Sequence, residues 1–377
     1  MIDFDFITDD RFRASLIADY AEFQTSVSGE AWKASLVLAG SIVEALLVDH
    51  LIAAEYQTRS GRDPLKMHLA ELIAACEKDK VLSANTTALS IVIKNYRNLI
   101  HPGRSVRLGE STSKSAAIVA GELLQMIVEE VSANRSAKYG LTADQIVKKL
   151  ERDESAMSIH KHLLKDVAGF EIERLLMKVI PKRYFELDSA MGEFGPEPDV
   201  IRQERLATCF RSAFDLATDE TKKKVTARFV SVLKEEDQRI VLAYEEAFFR
   251  ASDLQYIGRP DAKLVKDHLL SRIHKDVSLR LLDAMEGLPS FLDPRDISDL
   301  VDSLLRTSLS RGPNLVKTRA RTYLAELWRG LPGGEGGLDH KVLRRLDDWI
   351  AHFEKQGNMD SANIVREIKE EVGDIPF

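Results

Sequence analysis

Apolar residues recur at three- and four-residue steps along nearly the whole chain. Charged residues fill the faces between them, and alternating strand-like patterns are scarce. This periodicity leaves little room for anything but helices, so it predicts an all-α protein. The first helix is expected over residues 10–28, with Thr8 or Asp9 as its N-cap. The second, over residues 30–56, carries the run WKASLVLAGSIVEALLVDHLIAA. So many small and aliphatic residues suit a central helix packed on several sides. Its nearest approach to a membrane span is residues 34–48, where Glu44 interrupts the run short of the ~18 residues required, so no membrane segment is expected. Further helices are expected over residues 65–78, 85–101 and 111–135. Their short connections imply an antiparallel bundle.

The pattern breaks at residues 138–142 (KYGLT), where Thr142 can cap a new helix. This predicts one domain over residues 1–138 and a second over 139–377. Beyond the break the periodicity gives roughly ten more helical segments. EFGPEP, the Gly258–Pro260 turn, the residues before Pro313 and LPGGEGG punctuate them. Short amphipathic helices in series suggest a solenoid-like helical repeat domain, although no sharp period emerges. LPGGEGG looks like a tether that leaves residues 338–377 as a semi-independent helical hairpin.

At 377 residues and 44% hydrophobic, the chain can bury a large core. Its net charge of −7 gives no global basic footprint for nucleic acid. Cys76 and Cys209 stand far apart and suit two buried thiols rather than a disulfide or metal motif. The acidic start MIDFDFITDD lacks the layout of a signal peptide, so a cytoplasmic location is expected.

Against this acidic background, no Asp or Glu occurs between Asp79 and Glu110. That window holds Lys80, Lys94, Arg97, Arg104, Arg107 and His101, a local positive patch. Arg97 and His101 are four apart, on one helical face, just before Pro102-Gly103 stops the helix. Such a pair suits phosphate chemistry. A guanidinium grips oxyanions in fork geometry, and an imidazole moves protons near neutral pH. In RNA cleavage without metal, His101 can act as general base or acid, and Arg97 can stabilise charge on the phosphorane. Asn98 can orient a phosphate or hydroxyl. Lys94, Arg104 and Arg107 can hold flanking phosphates. One chain supplies a single histidine here, whereas a symmetric dimer would supply two. The competing reading is an ordinary helix end, with His101 on the helix dipole and Arg97 paired to Glu44.

The segment Arg97-Asn98-Leu99-Ile100-His101-Pro102 resembles the motif of HEPN domains, an arginine, a polar residue and then a histidine. The AGSIVEALLVDHL run with Glu44 resembles the second helix of a HEPN subfamily. The resemblance covers about the first 135 residues. It implies a helical bundle that dimerises so that two motifs form one cleft. It also implies metal-independent ribonuclease activity in bacterial defence, toxin or RNA-processing systems. The motif carries over to Arg97, Asn98 and His101, with Tyr96 and Glu44 in support. Three residues separate Arg97 from His101, a shorter gap than in most of the family's nuclease motifs. That departure favours the alternative, a non-catalytic HEPN dimerisation or assembly protein whose C-terminal domain binds a protein partner. A third reading is a nucleotide-binding module that works with a separate nucleotidyltransferase.

Other motifs carry blander readings. His160 and His162, and His268 and His274, lack metal-ligand spacing, so no metal is expected. Lys222-Lys223-Lys224 suits a solvated face. Lys317, Arg319 and Arg321 form a second basic cluster, better read as a solvated face than as a phosphate patch. Trp328 and Trp349 suit helix packing rather than base stacking. No Walker loop, dinucleotide fingerprint, nucleophile elbow or CxxC pair is present, so no cofactor is expected.

Overall fold

The computed structural model describes residues 2–97, 112–153, 155–190, 197–310, 313–333 and 337–373, with the side chains of 96–97, 188–190, 197–198 and 373 left aside. The protein is all-α: 82% helical, with 19 helices and no strand among the described residues. It divides into two compact units, Met1–Leu175 and Leu176–Phe377.

In the first unit, helix α1 (Asp10–Ser28) starts at Asp9, whose carboxylate accepts from the amides of Arg11 and Phe12. Helix α2 (Trp32–Ala53) begins later than the periodicity suggests. Glu30 sits at φ 57, in the left-handed region, and so breaks the helix between α1 and α2. Twelve residues of α2 are buried, among them Leu36, Ile42, Leu46, Leu47 and Leu51. Each such aliphatic side chain contributes about 1.5–3 kcal/mol relative to exposure. Around α2 pack α1, α4 (Leu69–Lys78), α5 (Ala84–Arg97) and α6 (Lys114–Tyr139); the short α3 (Tyr56–Ser60) follows its C-terminus. By length and composition α2 is apolar enough to cross a membrane, which corrects the expectation that no run would be. It is largely buried inside this bundle, as the core helix of a bundle would be.

The break at Tyr139–Gly140 is a turn within this unit, not its edge. Gly140 has φ 74, and a Cβ there would lie 2.2 Å from the carbonyl oxygen of Asp166, so only glycine fits. Thr142 then caps α7 (Ala143–Arg152) in a capping box with Gln145, as expected. Helices α8 (Ala156–Lys165) and α9 (Gly169–Arg174) complete the unit. Residues 140–175 are tied to the N-terminal segment. Thr142 donates to the Asp5 carbonyl at 2.6 Å. Glu171 accepts from Thr8 at 2.8 Å and from the Ala143 amide at 2.9 Å. Arg174 pairs with Asp144 at 2.5 Å and with Asp10 at 3.3 Å. Lys148 bridges Asp3 and Asp5. The expected boundary at residue 138 therefore falls inside the first unit.

The second unit contains α10 (Ile180–Ala190), α11 (Glu197–Leu216), α12 (Asp219–Glu235), α13 (Gln238–Phe248), α14 (Arg259–Ile273), α15 (Leu279–Ala284), α16 (Pro294–Leu309), α17 (Asn314–Gly330), α18 (Asp339–Lys355) and α19 (Met359–Gly373). Most contacts join helices adjacent or next-but-one in sequence, such as α11 with α13, α14 with α16, and α16 with α17 and α18. Gly287, at φ 83, lies so close to Ser252 that a Cβ would clash at 2.7 Å. Its neighbour Glu286 accepts the Ser252 amide there at 2.7 Å. The α18–α19 hairpin is not an isolated appendage. Arg345 forks onto Asp302 of α16 at 2.7 and 2.6 Å, and Trp349 donates to the same carboxylate at 2.7 Å. The hairpin also packs on α17.

Candidate functional site

Helix α5 carries the start of the candidate site. The Ser83 hydroxyl accepts the Thr86 amide at 3.2 Å, which fixes the beginning of the helix. Two bonds then hold α5 antiparallel to α6. The Ser83 amide donates to Glu130 at 3.0 Å, and Asn134 donates to the Lys80 carbonyl at 3.3 Å. From that anchor the last turns of α5 run level with the first half of α6.

The inward stripe of α5 is Thr86, Ser90 and Ile93, all buried. Ser90 satisfies its hydroxyl on the Thr86 carbonyl at 2.8 Å, so small polar residues fill the stripe beside α2. Arg97 is the last residue of α5. Lys94 is half-buried beside the stripe, and Glu44 is half-buried on α2. The expected site residues Asn98, His101, Arg104 and Arg107, and the side chains of Tyr96 and Arg97, lie outside what the structure describes.

The outward faces are unusually apolar. Ile91 and Val92 on α5 are exposed, as are Ile118, Val119 and Met126 on α6, the last three at 49%, 46% and 45%. They border both ends of the chain segment that holds His101.

Deeper in the same unit, Arg135 of α6 and Asp49 of α2 form an ion pair with both side chains 5% exposed. Arg135 also donates to Thr8 at 3.3 Å. Burial pushes the Asp49 carboxyl up in spite of the adjacent guanidinium. His50 is buried beside them, and its Nδ1 has no hydrogen-bond partner among the described residues. Burial, with the positive Arg135 next in weight, holds the imidazole down at about 4, so it is neutral at pH 7.

The remaining sequence candidates are placed as follows. His160 is buried, with Nδ1 at 2.6 Å from the Met157 carbonyl, while His162 is exposed. His268 meets the fully buried Glu245 at 2.7 Å. Lys224 pairs with Glu220 at 3.5 Å. Arg319 pairs with Glu326 at 2.9 Å and with Asp283 at 3.4 Å. Cys76 and Cys209 are free and buried, and burial raises both thiols to about 12, which leaves them inert. Two residues that sequence reasoning set aside, His274 and Lys317, border one cleft in the second unit. Spacing along the chain gave no sign of it, because they are contributed by a loop and a helix more than one element apart.

Comparison with known proteins returns no match: no family model fits the chain, and neither a curated protein nor a solved structure aligns with it significantly.

Proposed function

We propose that the first unit is a HEPN-like module that binds RNA and cleaves it without a metal ion. The observation that carries this reading is the acid-free window between Asp79 and Glu110, which runs along α5 to its C-terminal end in an otherwise acidic protein. In this reading, His101 of one copy takes the proton from a ribose 2′-hydroxyl. The oxygen attacks the adjacent phosphorus, and the bond to the 5′-oxygen breaks. His101 of a second copy protonates that leaving oxygen, so the products are a 2′,3′-cyclic phosphate and a 5′-hydroxyl. Arg97 stabilises the phosphorane charge, Asn98 orients the reacting group, and Lys94, Arg104 and Arg107 hold the backbone. Glu44 and Tyr96 support the Arg97 end of the helix. The outward apolar residues of α5 and α6 supply the dimer contact. A cytoplasmic role in defence or as a toxin follows from the HEPN resemblance.

The test is cleavage of total RNA and tRNA in EDTA by wild type, His101→Ala and Arg97→Ala at equal folded concentration. Cleavage by wild type that leaves 5′-hydroxyl ends and is abolished in both variants supports the assignment. Cleavage that survives either substitution rejects it.

A second reading is favoured by the exposed apolar residues of α5 and α6. Here the unit dimerises without catalysis and the second unit binds a protein partner. A dimer in light scattering, with no cleavage by wild type, selects this reading.

A further inference from the structure

The second unit contains a cleft of about 760 Å³ between the loop after α14, helix α15, α16 and the start of α17. It falls within the range of small-molecule sites, about 300–1,000 Å³. His274, Lys275, Arg280, Arg306 and Lys317 border it, against only Glu246 and Asp276. In a protein of net charge −7, such a concentration of cations around one cavity is a directed field.

The cations differ in how they are engaged. Glu246 is already shared between Arg272 at 3.6 Å and Arg280 at 3.8 Å. Among the described residues, Lys275, Arg306 and Lys317 have no carboxylate within ion-pair distance. Elsewhere in this unit Lys266, Arg211 and Arg345 do pair with carboxylates. Three unmatched cations around a single cavity suit a dianion or polyanion better than a single carboxylate.

His274 is positioned by Ser303: its Nδ1 lies 2.7 Å from the Ser303 hydroxyl, which also lies 3.0 Å from the Asp299 carbonyl. Ile273, Val277, Leu279 and Val316 supply an apolar wall beside these groups.

We propose that this cleft binds a small phosphorylated ligand of nucleotide size, with its phosphate held by Lys275, Arg306 and Lys317 and its organic part against the apolar wall. The proposal concerns the second unit and stands apart from the RNA reading of the first.

The test is calorimetric titration of the full chain with AMP, ATP, inorganic phosphate, adenosine and a short single-stranded RNA. AMP and ATP are expected to bind, inorganic phosphate to compete with AMP, and adenosine not to bind. Arg306→Ala and Lys317→Ala are each expected to weaken AMP about tenfold or more, since a hydrogen bond to a charged group contributes about 1.5–3 kcal/mol. Neither residue has a carboxylate within ion-pair distance, and Arg306 acts on Asp302 only at longer range, so both variants are expected to keep the wild-type circular dichroism and a near-wild-type Tm, and Arg306→Lys to recover part of the affinity. Arg97→Ala leaves AMP binding unchanged, which separates this proposal from the reading of α5. The proposal is overturned if no phosphorylated probe binds, if the Arg306→Ala/Lys317→Ala double variant binds AMP like wild type, or if only the RNA oligonucleotide binds.

Discussion

The two units solve the packing of helices in different ways. The first is organised around a single helix, α2, whose sides are nearly all apolar and which α1, α4, α5 and α6 surround. Among the described residues its interior holds the Asp49–Arg135 ion pair, the buried Glu171 beside Arg174, and the neutral His50. The second is a succession of amphipathic helices, pinned to one another by charged groups at the contacts. Arg211 forks onto Asp253 at 2.6 and 3.0 Å. Lys266 reaches Asp293 at 2.7 Å and Asp296 at 2.6 Å. Glu245 joins His268 and Arg272, and Asp302 joins Arg345 and Trp349. A bundle with a central helix defines its neighbours by non-directional burial. In a serial array, directional pairs add to burial in fixing which helix meets which.

This contrast makes the Asp49–Arg135 pair, buried against the central helix, the most sensitive point of the molecule. Arg135→Ala leaves Asp49 buried without its partner and is expected to cost about 3–5 kcal/mol in urea unfolding. The double variant Asp49→Leu/Arg135→Met should recover most of that loss. If it does not, the pair specifies the fold as well as neutralising itself.

Acid should separate the two units next. The His50 imidazole has a folded value of about 4, below the ordinary ~6.5 of an unfolded chain. Between these values the unfolded state binds more protons, so stability is full above about pH 6.5 and falls as the pH drops towards 4. The loss from this group approaches about 3 kcal/mol at the acid end of the window. Asp49, whose carboxyl is raised, works in the opposite sense at low pH. Comparison of His50→Leu with wild type therefore isolates the histidine. A pH profile that is unchanged in the variant would remove His50 from the account.

In the second unit, loss of one directional pair should matter less, because such pairs are numerous and partly wet. Asp253→Ala, which unpairs Arg211 and the Arg250 amide, is expected to cost about 2 kcal/mol by the same unfolding measurement. A cost above that of Arg135→Ala would reverse the comparison. The smallest effect expected is Thr142→Ala, about 1 kcal/mol or slightly more, since the cap of α7 also holds the Asp5 carbonyl. Limited proteolysis should then show residues 140–175 released from the bundle before α2 is exposed.

Much of the first unit was legible in the sequence. The apolar run of α2, the Asp9 cap, the bounds of α1 and the Thr142 start of α7 all follow from local pattern. The extent of the unit was not, because KYGLT reads as a boundary whichever side the next helices pack on. Thr8, Glu171 and Arg174 meet only across long stretches of chain. The contacts of the α18–α19 hairpin were not legible for the same reason: a glycine-rich connection says nothing about the Asp302 carboxylate on α16. The candidate site on α5 was legible as a charge pattern and a spacing, and the fold added the apolar residues exposed on α5 and α6.

The sequence by itself determined the helical class, the central character of α2, the burial of both cysteines and the positive window around Arg97. Each of these is a matter of periodicity or composition, which acts over a few turns. Only the tertiary structure decided where the first unit ends, that His50 is buried without a partner for Nδ1, and that His274, Arg306 and Lys317 border one cleft. Those facts depend on which distant faces meet, and that choice is made by burial and charge pairing summed over the whole unit rather than by any local stretch of chain.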